Sequence, residues 1–121
     1  MSKQILVVDD DFMTLRMAEM FLKKGGYQVL KAQSGEECLE QLKAQTADLI
    51  LLDMEMPEMD GLQTLQQIRA EGLEGAAPIY FLSGSDDVKD QVEKGVYPAE
   101  GFIHKPFLPA ELLEQVKTAM E

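Results

Sequence analysis

Four short apolar runs in this chain each lead into residues able to do polar chemistry. Residues 5–8 run into Asp9, Asp10 and Asp11, and residues 49–52 run into Asp53. Residues 79–82 run into Ser83, Gly84 and Ser85, and Phe102 and Ile103 lead through His104 to Lys105 and Pro106. Carboxylates crowded into one place repel, so without a counter-charge some take up protons or the fold loses stability. A divalent cation removes that penalty. A donor set made only of oxygen suits magnesium, whereas zinc prefers nitrogen and sulfur. The chain has one cysteine, Cys38, and one histidine, His104, so a zinc site has almost no support. A lysine ammonium is a further counter-charge, and a serine hydroxyl can donate to a phosphoryl oxygen.

Each of these residues also has a plainer reading. An Asp-Asp pair after a strand commonly caps the next helix, where the helix dipole favours acid. Asp53 by itself reads as a loop carboxylate, Asp60 as a helix cap and Lys105 as a surface lysine. Ser83 reads equally well as a hydroxyl satisfying local backbone. Convergence on one edge favours the chemical reading, and convergence depends on the elements between these residues.

Those elements alternate. The apolar runs 5–8, 27–32, 49–52, 79–82 and 102–103 are short and mostly rich in Val, Ile and Leu, as strands buried on both faces are. Between them the pattern becomes helical. Leu15, Ala18 and Leu22 line one face of a first helix that Gly25 and Gly26 end. Ser34 and Glu37 fit a capping box at the start of a second, which buries Cys38, Leu39 and Leu42. Asp60 and Gln63 open a third, with Leu62, Leu65 and Ile68 inward. A fourth starts near Ser85, Asp86 and Asp87 and carries Val88 and Val92. A fifth follows Pro109, a favoured first-turn residue, and turns Leu112, Leu113 and Val116 inward. A strand–helix unit repeated five times predicts an α/β fold: a five-stranded parallel sheet with helices on both faces. Right-handed crossovers leave few topologies, and the common order is 2-1-3-4-5, the flavodoxin-like (βα)5 arrangement. Ligands then bind beyond the carboxyl ends of the strands, at the switch point between strands 1 and 3. Asp9, Asp10 and Asp53 are expected to meet there.

Composition narrows the class. The chain has 121 residues, which predicts a single domain over residues 1–121. With 45% hydrophobic and 27% charged residues it can build a core and is not a disordered tail. The net charge of −11 argues against direct nucleic-acid binding and against a polybasic membrane surface. No apolar run approaches the roughly 18 residues of a membrane span, and the first residues lack a signal-peptide pattern. A lone cysteine excludes an intrachain disulfide and suits a reducing compartment, so a cytoplasmic protein is expected.

Four segments together carry a resemblance. They are Ile5-Leu6-Val7-Val8-Asp9-Asp10, Leu49-Ile50-Leu51-Leu52-Asp53-Met54-Glu55-Met56-Pro57-Glu58-Met59-Asp60-Gly61, Ser83-Gly84 and Lys105-Pro106-Phe107. Over residues 4–120 the chain resembles the receiver domain of two-component response regulators, the family of the chemotaxis response regulator. The resemblance implies a phosphorylation switch in a phosphorelay. Asp53 is the implied phosphoacceptor, served by a sensor histidine kinase or a histidine phosphotransfer protein. Magnesium is the implied cofactor, held by Asp10, Asp53 and the backbone carbonyl of Glu55, with Asp9 acting through a water. Ser83, Gly84 and Lys105 are the implied phosphoryl-binding residues, the small Gly84 leaving the pocket open to small phosphodonors.

Ser83 and Phe102 are the implied switch pair, acting on the face made by the fourth helix, fifth strand and fifth helix. The family often has tyrosine at the Phe102 position, so any hydroxyl-dependent part of the switch is missing. Glu55 and Ser85 occupy positions that tune the lifetime of the phosphorylated state. The domain is implied to be no enzyme beyond slow self-dephosphorylation. Its implied partners are the phosphodonor, a downstream output domain or protein target, and a second copy in a phosphorylation-linked homodimer. A cis Lys105-Pro106 bond is implied as well. Met1 just before the first strand suggests a natural start. The end at Glu121 fits either a single-domain regulator or a receiver cut from a longer protein.

One stretch departs from the family. Where a Gly-Ala pair is usual, residues 94–101 read Lys-Gly-Val-Tyr-Pro-Ala-Glu-Gly. Gly95 and Pro98 predict a short fourth helix followed by an irregular 95–100 loop. Two other functions compete. A haloacid-dehalogenase-like phosphatase also uses Asp, Ser, Lys and magnesium, but it needs a second aspartate two residues after the nucleophile, and Glu55 stands there. A degenerate receiver, binding partners without phosphorylation, is disfavoured because every acceptor-site residue is present. The remaining readings are structural. Cys38 is a small core residue, Met54, Met56 and Met59 pack around the acceptor loop, and His104 is a partly exposed strand residue.

Overall fold

Five parallel strands form one sheet in the order β2-β1-β3-β4-β5: β1 (Gln4–Val8), β2 (Gln28–Ala32), β3 (Leu49–Asp53), β4 (Ile79–Ser83) and β5 (Gly101–His104). They alternate with α1 (Phe12–Lys24), α2 (Gly35–Ala44), α3 (Gly61–Glu71), α4 (Asp86–Glu93) and α5 (Pro109–Ala119). This computed structural model describes residues 2–121. Met1, and with it the reading of a natural start, lies outside the described residues. The expected class and strand order are what the structure has.

The two-sided burial of the central strands explains their unbroken apolar runs. Residues 5–8 of β1 and 49–52 of β3 are fully buried, and alternate side chains serve opposite cores. Leu6, Val8, Ile50 and Leu52 pack with Cys38 and Leu42 of α2 and Leu65 and Ile68 of α3. Ile5, Val7, Leu49 and Leu51 pack with Leu15, Ala18 and Leu22 of α1 and Leu112 and Val116 of α5. Each such aliphatic side chain contributes about 1.5–3 kcal/mol through burial. Leu39, Leu62, Val92 and Leu113 lie half-buried at the margins of these cores. Cys38 is fully enclosed, and burial pushes its thiol up to about 12. Among the described residues no helix is long and apolar enough to cross a membrane.

The helix ends refine the sequence reading. Asp60 and Gln63 form the full reciprocal box on α3. Ser34 accepts from Glu37 N at 3.1 Å, but the Glu37 carboxylate turns instead to Gln33 N at 3.2 Å. The second helix therefore has half of the expected box. The fourth helix is short, and Gly95 follows it at φ 77°, in the left-handed region. The 94–100 segment then returns over the sheet, where Tyr97 meets Phe81 edge to face at 6.1 Å.

Candidate functional site

Parallel register brings the carboxyl ends of β1, β3, β4 and β5 to one edge. Val8 lies opposite Leu52, Asp53 opposite Leu82 and Ser83 opposite His104. Asp9, Asp10 and Asp53 converge there, each offering a carboxylate oxygen within 4.8 Å of the others. Asp9 and Asp53 are buried, while Asp10 faces solvent. The capping explanation of the Asp9-Asp10 pair fails on geometry. Asp11 is the N-cap of α1, accepting from Met13 N at 3.0 Å. Asp9 accepts from Asp11 N at 2.9 Å, and Asp10 is left without capping work.

Lys105 reaches back into this cluster. Its Nζ donates to Asp9 Oδ2 at 3.0 Å and to Asp53 Oδ1 at 3.1 Å. The Lys105-Pro106 peptide bond that follows is cis. Burial lifts the Asp53 carboxyl to about 7, helped by the neighbouring Asp9 charge and opposed by Lys105. Burial pulls the Lys105 ammonium down, but its bonds to Asp9 and its attraction to Asp53 leave it above its ordinary value. Asp53 Oδ1 also accepts from Glu55 N at 3.2 Å. Asp53 Oδ2 has no donor among the described residues, yet it is not a sealed orphan, so it keeps a path to solvent. A crowded, all-carboxylate cluster with one ammonium fits a hard divalent cation.

The loop after Asp53 is shaped by close packing. A Cβ on Gly61 would lie 2.5 Å from the Asp53 carbonyl oxygen, so only glycine lets α3 start this close to β3. Asp60 serves as the α3 cap, as its plainer reading predicts. Met54 and Met56 are buried in the core, and the Met59 side chain lies against Gly35. Glu58 takes φ 69°, an uncommon value for a residue with a side chain.

Ser83 is fully buried. Its Oγ accepts from Ser85 N at 3.0 Å, the plain backbone role, and donates to Glu55 Oε1 at 2.8 Å. The sequence carries no local sign of that second bond and implies for Glu55 only a backbone carbonyl and a lifetime role. Gly84 is exposed, and a Cβ there would touch the Lys105 carbonyl oxygen at 3.4 Å, ordinary contact. With Asp11, Thr14, Met17, Lys105, Pro106 and Phe107 it lines a groove of about 300 Å3 beside the ammonium. Phe102 lies apart from the carboxylates, half-buried against the α2–α3–α4 core. Its ring meets exposed His104 edge to face at 6.2 Å. His104 faces Asp86 at 3.9 Å and takes no part in the acidic cluster.

Comparison with known proteins places this geometry. The family model described as the response regulator receiver domain matches residues 5–117. The chain belongs to that family. It is 35% identical over 120 residues to the alkaline phosphatase synthesis transcriptional regulatory protein PhoP of Bacillus subtilis, covering 99% of this chain and 49% of that protein. It is also 35% identical to the regulatory protein VanR of Enterococcus faecium, covering 99% and 51%. The chain thus spans about half the length of the curated relatives it matches.

Among solved structures, the chemotaxis protein CheY4 of Vibrio cholerae superposes with a TM-score of 0.90 at 28% identity, covering 98% of this chain and 99% of that one. The response regulator TrrA of Thermotoga maritima, in complex with Mg(2+)-BeF, gives 0.83 at 32% identity, covering 97% and 98%. A receiver domain is a regulatory module of two-component signalling, and this chain carries its acidic cluster at the edge the fold reserves for ligands.

Proposed function

We propose that this receiver domain accepts a phosphoryl group on Asp53 from a phosphohistidine of a sensor histidine kinase or a histidine phosphotransfer protein. The observation that carries the reading is the asymmetry of Asp53. One oxygen is held by Lys105 and the Glu55 amide, and the other has no donor among the described residues. The free oxygen attacks phosphorus. A new O–P bond forms as the partner's N–P bond breaks, and the imidazole nitrogen keeps the electron pair. Such transfers depend mainly on positioning and charge compensation. Asp10, Asp53 and the Glu55 backbone carbonyl would hold magnesium, with Asp9 acting through a water. When bound, that ion neutralises charge on the transferring group. Lys105 keeps Asp53 oriented and offsets the charge of about −1.5 to −2 that the phosphoryl group adds.

Ser83 donates to a phosphoryl oxygen, and the open flank at Gly84 admits small donors. As Ser83 moves, Phe102 turns inward and the α4–β5–α5 face changes. That face meets a downstream output domain, a protein target or a second copy of the chain. Nothing in the reading requires catalysis beyond slow self-dephosphorylation, direct nucleic-acid binding or a membrane.

Intact-mass spectrometry after incubation with acetyl phosphate tests it. One added phosphoryl group is expected, dependent on magnesium and absent from Asp53→Asn. An adduct that persists in Asp53→Asn would move the acceptor elsewhere. No adduct, together with no binding of beryllofluoride, would favour the degenerate reading.

A further inference from the structure

The hydroxyl of Ser83 has one proton, and in this structure it is given to Glu55. A serine hydroxyl offers a single donor and two acceptor lone pairs. One lone pair takes the Ser85 amide at 3.0 Å, and the proton goes to Glu55 Oε1 at 2.8 Å. A phosphoryl group on Asp53 presents only acceptor oxygens at neutral pH, as does an ionised Glu55 carboxylate. The two cannot share that proton. From these bonds we infer that Glu55 is a releasable latch on Ser83, competing with the phosphoryl group for the hydroxyl and setting how readily the occupied state forms. The inference rests on the phosphoacceptor reading and concerns the control of the same site.

The two ends of the bond differ in what they can do when it breaks. Ser83 is fully buried and cannot swing out into solvent. Glu55 is exposed and can swing its carboxylate into solvent, where its charge is well hydrated. Breaking the latch therefore moves Glu55 outward and leaves the hydroxyl aimed into the site. Glu55 is also tied to the acceptor through its backbone, since its amide donates to Asp53 Oδ1 at 3.2 Å. The residue thus bridges the acceptor and the switch hydroxyl, and no other side chain accepts from Ser83 among the described residues. Glu55 acts through Ser83 and is a positioning residue.

The test measures the affinity of the intact chain for beryllofluoride at fixed magnesium, by amide NMR titration of wild type, Glu55→Ala and Glu55→Asp. Aspartate keeps the negative charge but is one methylene too short for the hydroxyl. A latch predicts that both variants bind about tenfold more tightly, the weight of one hydrogen bond to a hydrated charged acceptor. In the ligand-free protein both should also shift the Ser85 amide resonance, because its acceptor is no longer polarised by the carboxylate. A gain confined to Glu55→Ala would mean that charge repulsion alone is at work and would overturn the latch. No gain in either variant would overturn it as well, with the phosphoacceptor reading intact. Failure of the wild type and both variants to bind would overturn that reading and the latch with it.

Discussion

Twice among the described residues a single cation lies between two carboxylates. At the carboxyl edge of the sheet Lys105 holds Asp9 at 3.0 Å and Asp53 at 3.1 Å. Near the amino ends of β4 and β5, Arg69 of α3 holds Glu74 at 2.9 Å and Glu100 at 2.8 Å, and also donates to the Pro98 carbonyl. The separations match, but the surroundings do not. The Asp9 and Asp53 side chains are 0% and 2% exposed, against 14% and 41% for Glu74 and Glu100. Water can solvate the Arg69 cluster whether or not its pairs form, so those pairs act as a staple on the 94–100 segment. The buried aspartates each accept one backbone amide, from Asp11 and Glu55, and among the described residues Lys105 is the cation that balances their charge. The same ionic pattern is a fastening at one end of the sheet and a site poised for an incoming charge at the other.

Removing each cation should give unequal results. Lys105→Met should lose about 3 kcal/mol at alkaline pH, because it leaves two buried carboxylates without a counter-charge. Urea unfolding measures this, and magnesium should return part of the loss. Equal losses in the two clusters, or no response to magnesium in Lys105→Met, would break the contrast.

The next effect is one of pH. In the fold Asp53 titrates near 7, against about 3.9 in an unfolded chain. The native state therefore binds this proton more tightly than the unfolded state. The stability it confers is complete below about pH 4 and is lost as pH rises through about 7. Thermal unfolding of Asp53→Asn should accordingly fall less between about pH 5 and pH 8 than that of wild type. Identical slopes would place the burden of the cluster elsewhere.

Arg69→Met should cost only about 1 kcal/mol, with no magnesium response. Its hydrogen exchange should speed up in the 94–100 segment and leave the acceptor loop unchanged.

The smallest effects concern backbone. The acceptor loop puts Glu58 in the left-handed region at φ 69°, and the segment after α4 puts Gly95 there at φ 77°. Glu58→Gly should stabilise and Gly95→Ala destabilise, each by about 1 kcal/mol. Opposite signs would show that strain is carried at the acceptor edge and relieved by glycine at the other end.

Much of the site was legible because its determinants are local. Asp9, Asp53, Ser83 and Lys105 each follow a recognisable apolar run, and a parallel sheet brings strand ends to one edge whatever the loops do. The short α4 was legible from Gly95 and Pro98 for the same reason. The Ser34–Glu37 box was only half right, because a glutamate three residues on can reach two neighbouring amides and local packing selects one. The plain capping reading falls on the Asp9-Asp10 pair, and the structure gives the cap to Asp11 instead.

By itself the sequence determined which segments are strands and helices, which faces are buried and which residue types end the strands. Periodicity and burial are properties of a window of a few residues, so they survive without a fold. Only the tertiary structure decided that Glu55 would hold Ser83 across 28 positions and that Arg69 would reach Glu100 across 31. A hydrogen bond has a reach of about 3 Å, and such partners meet only once strand register and helix packing are set.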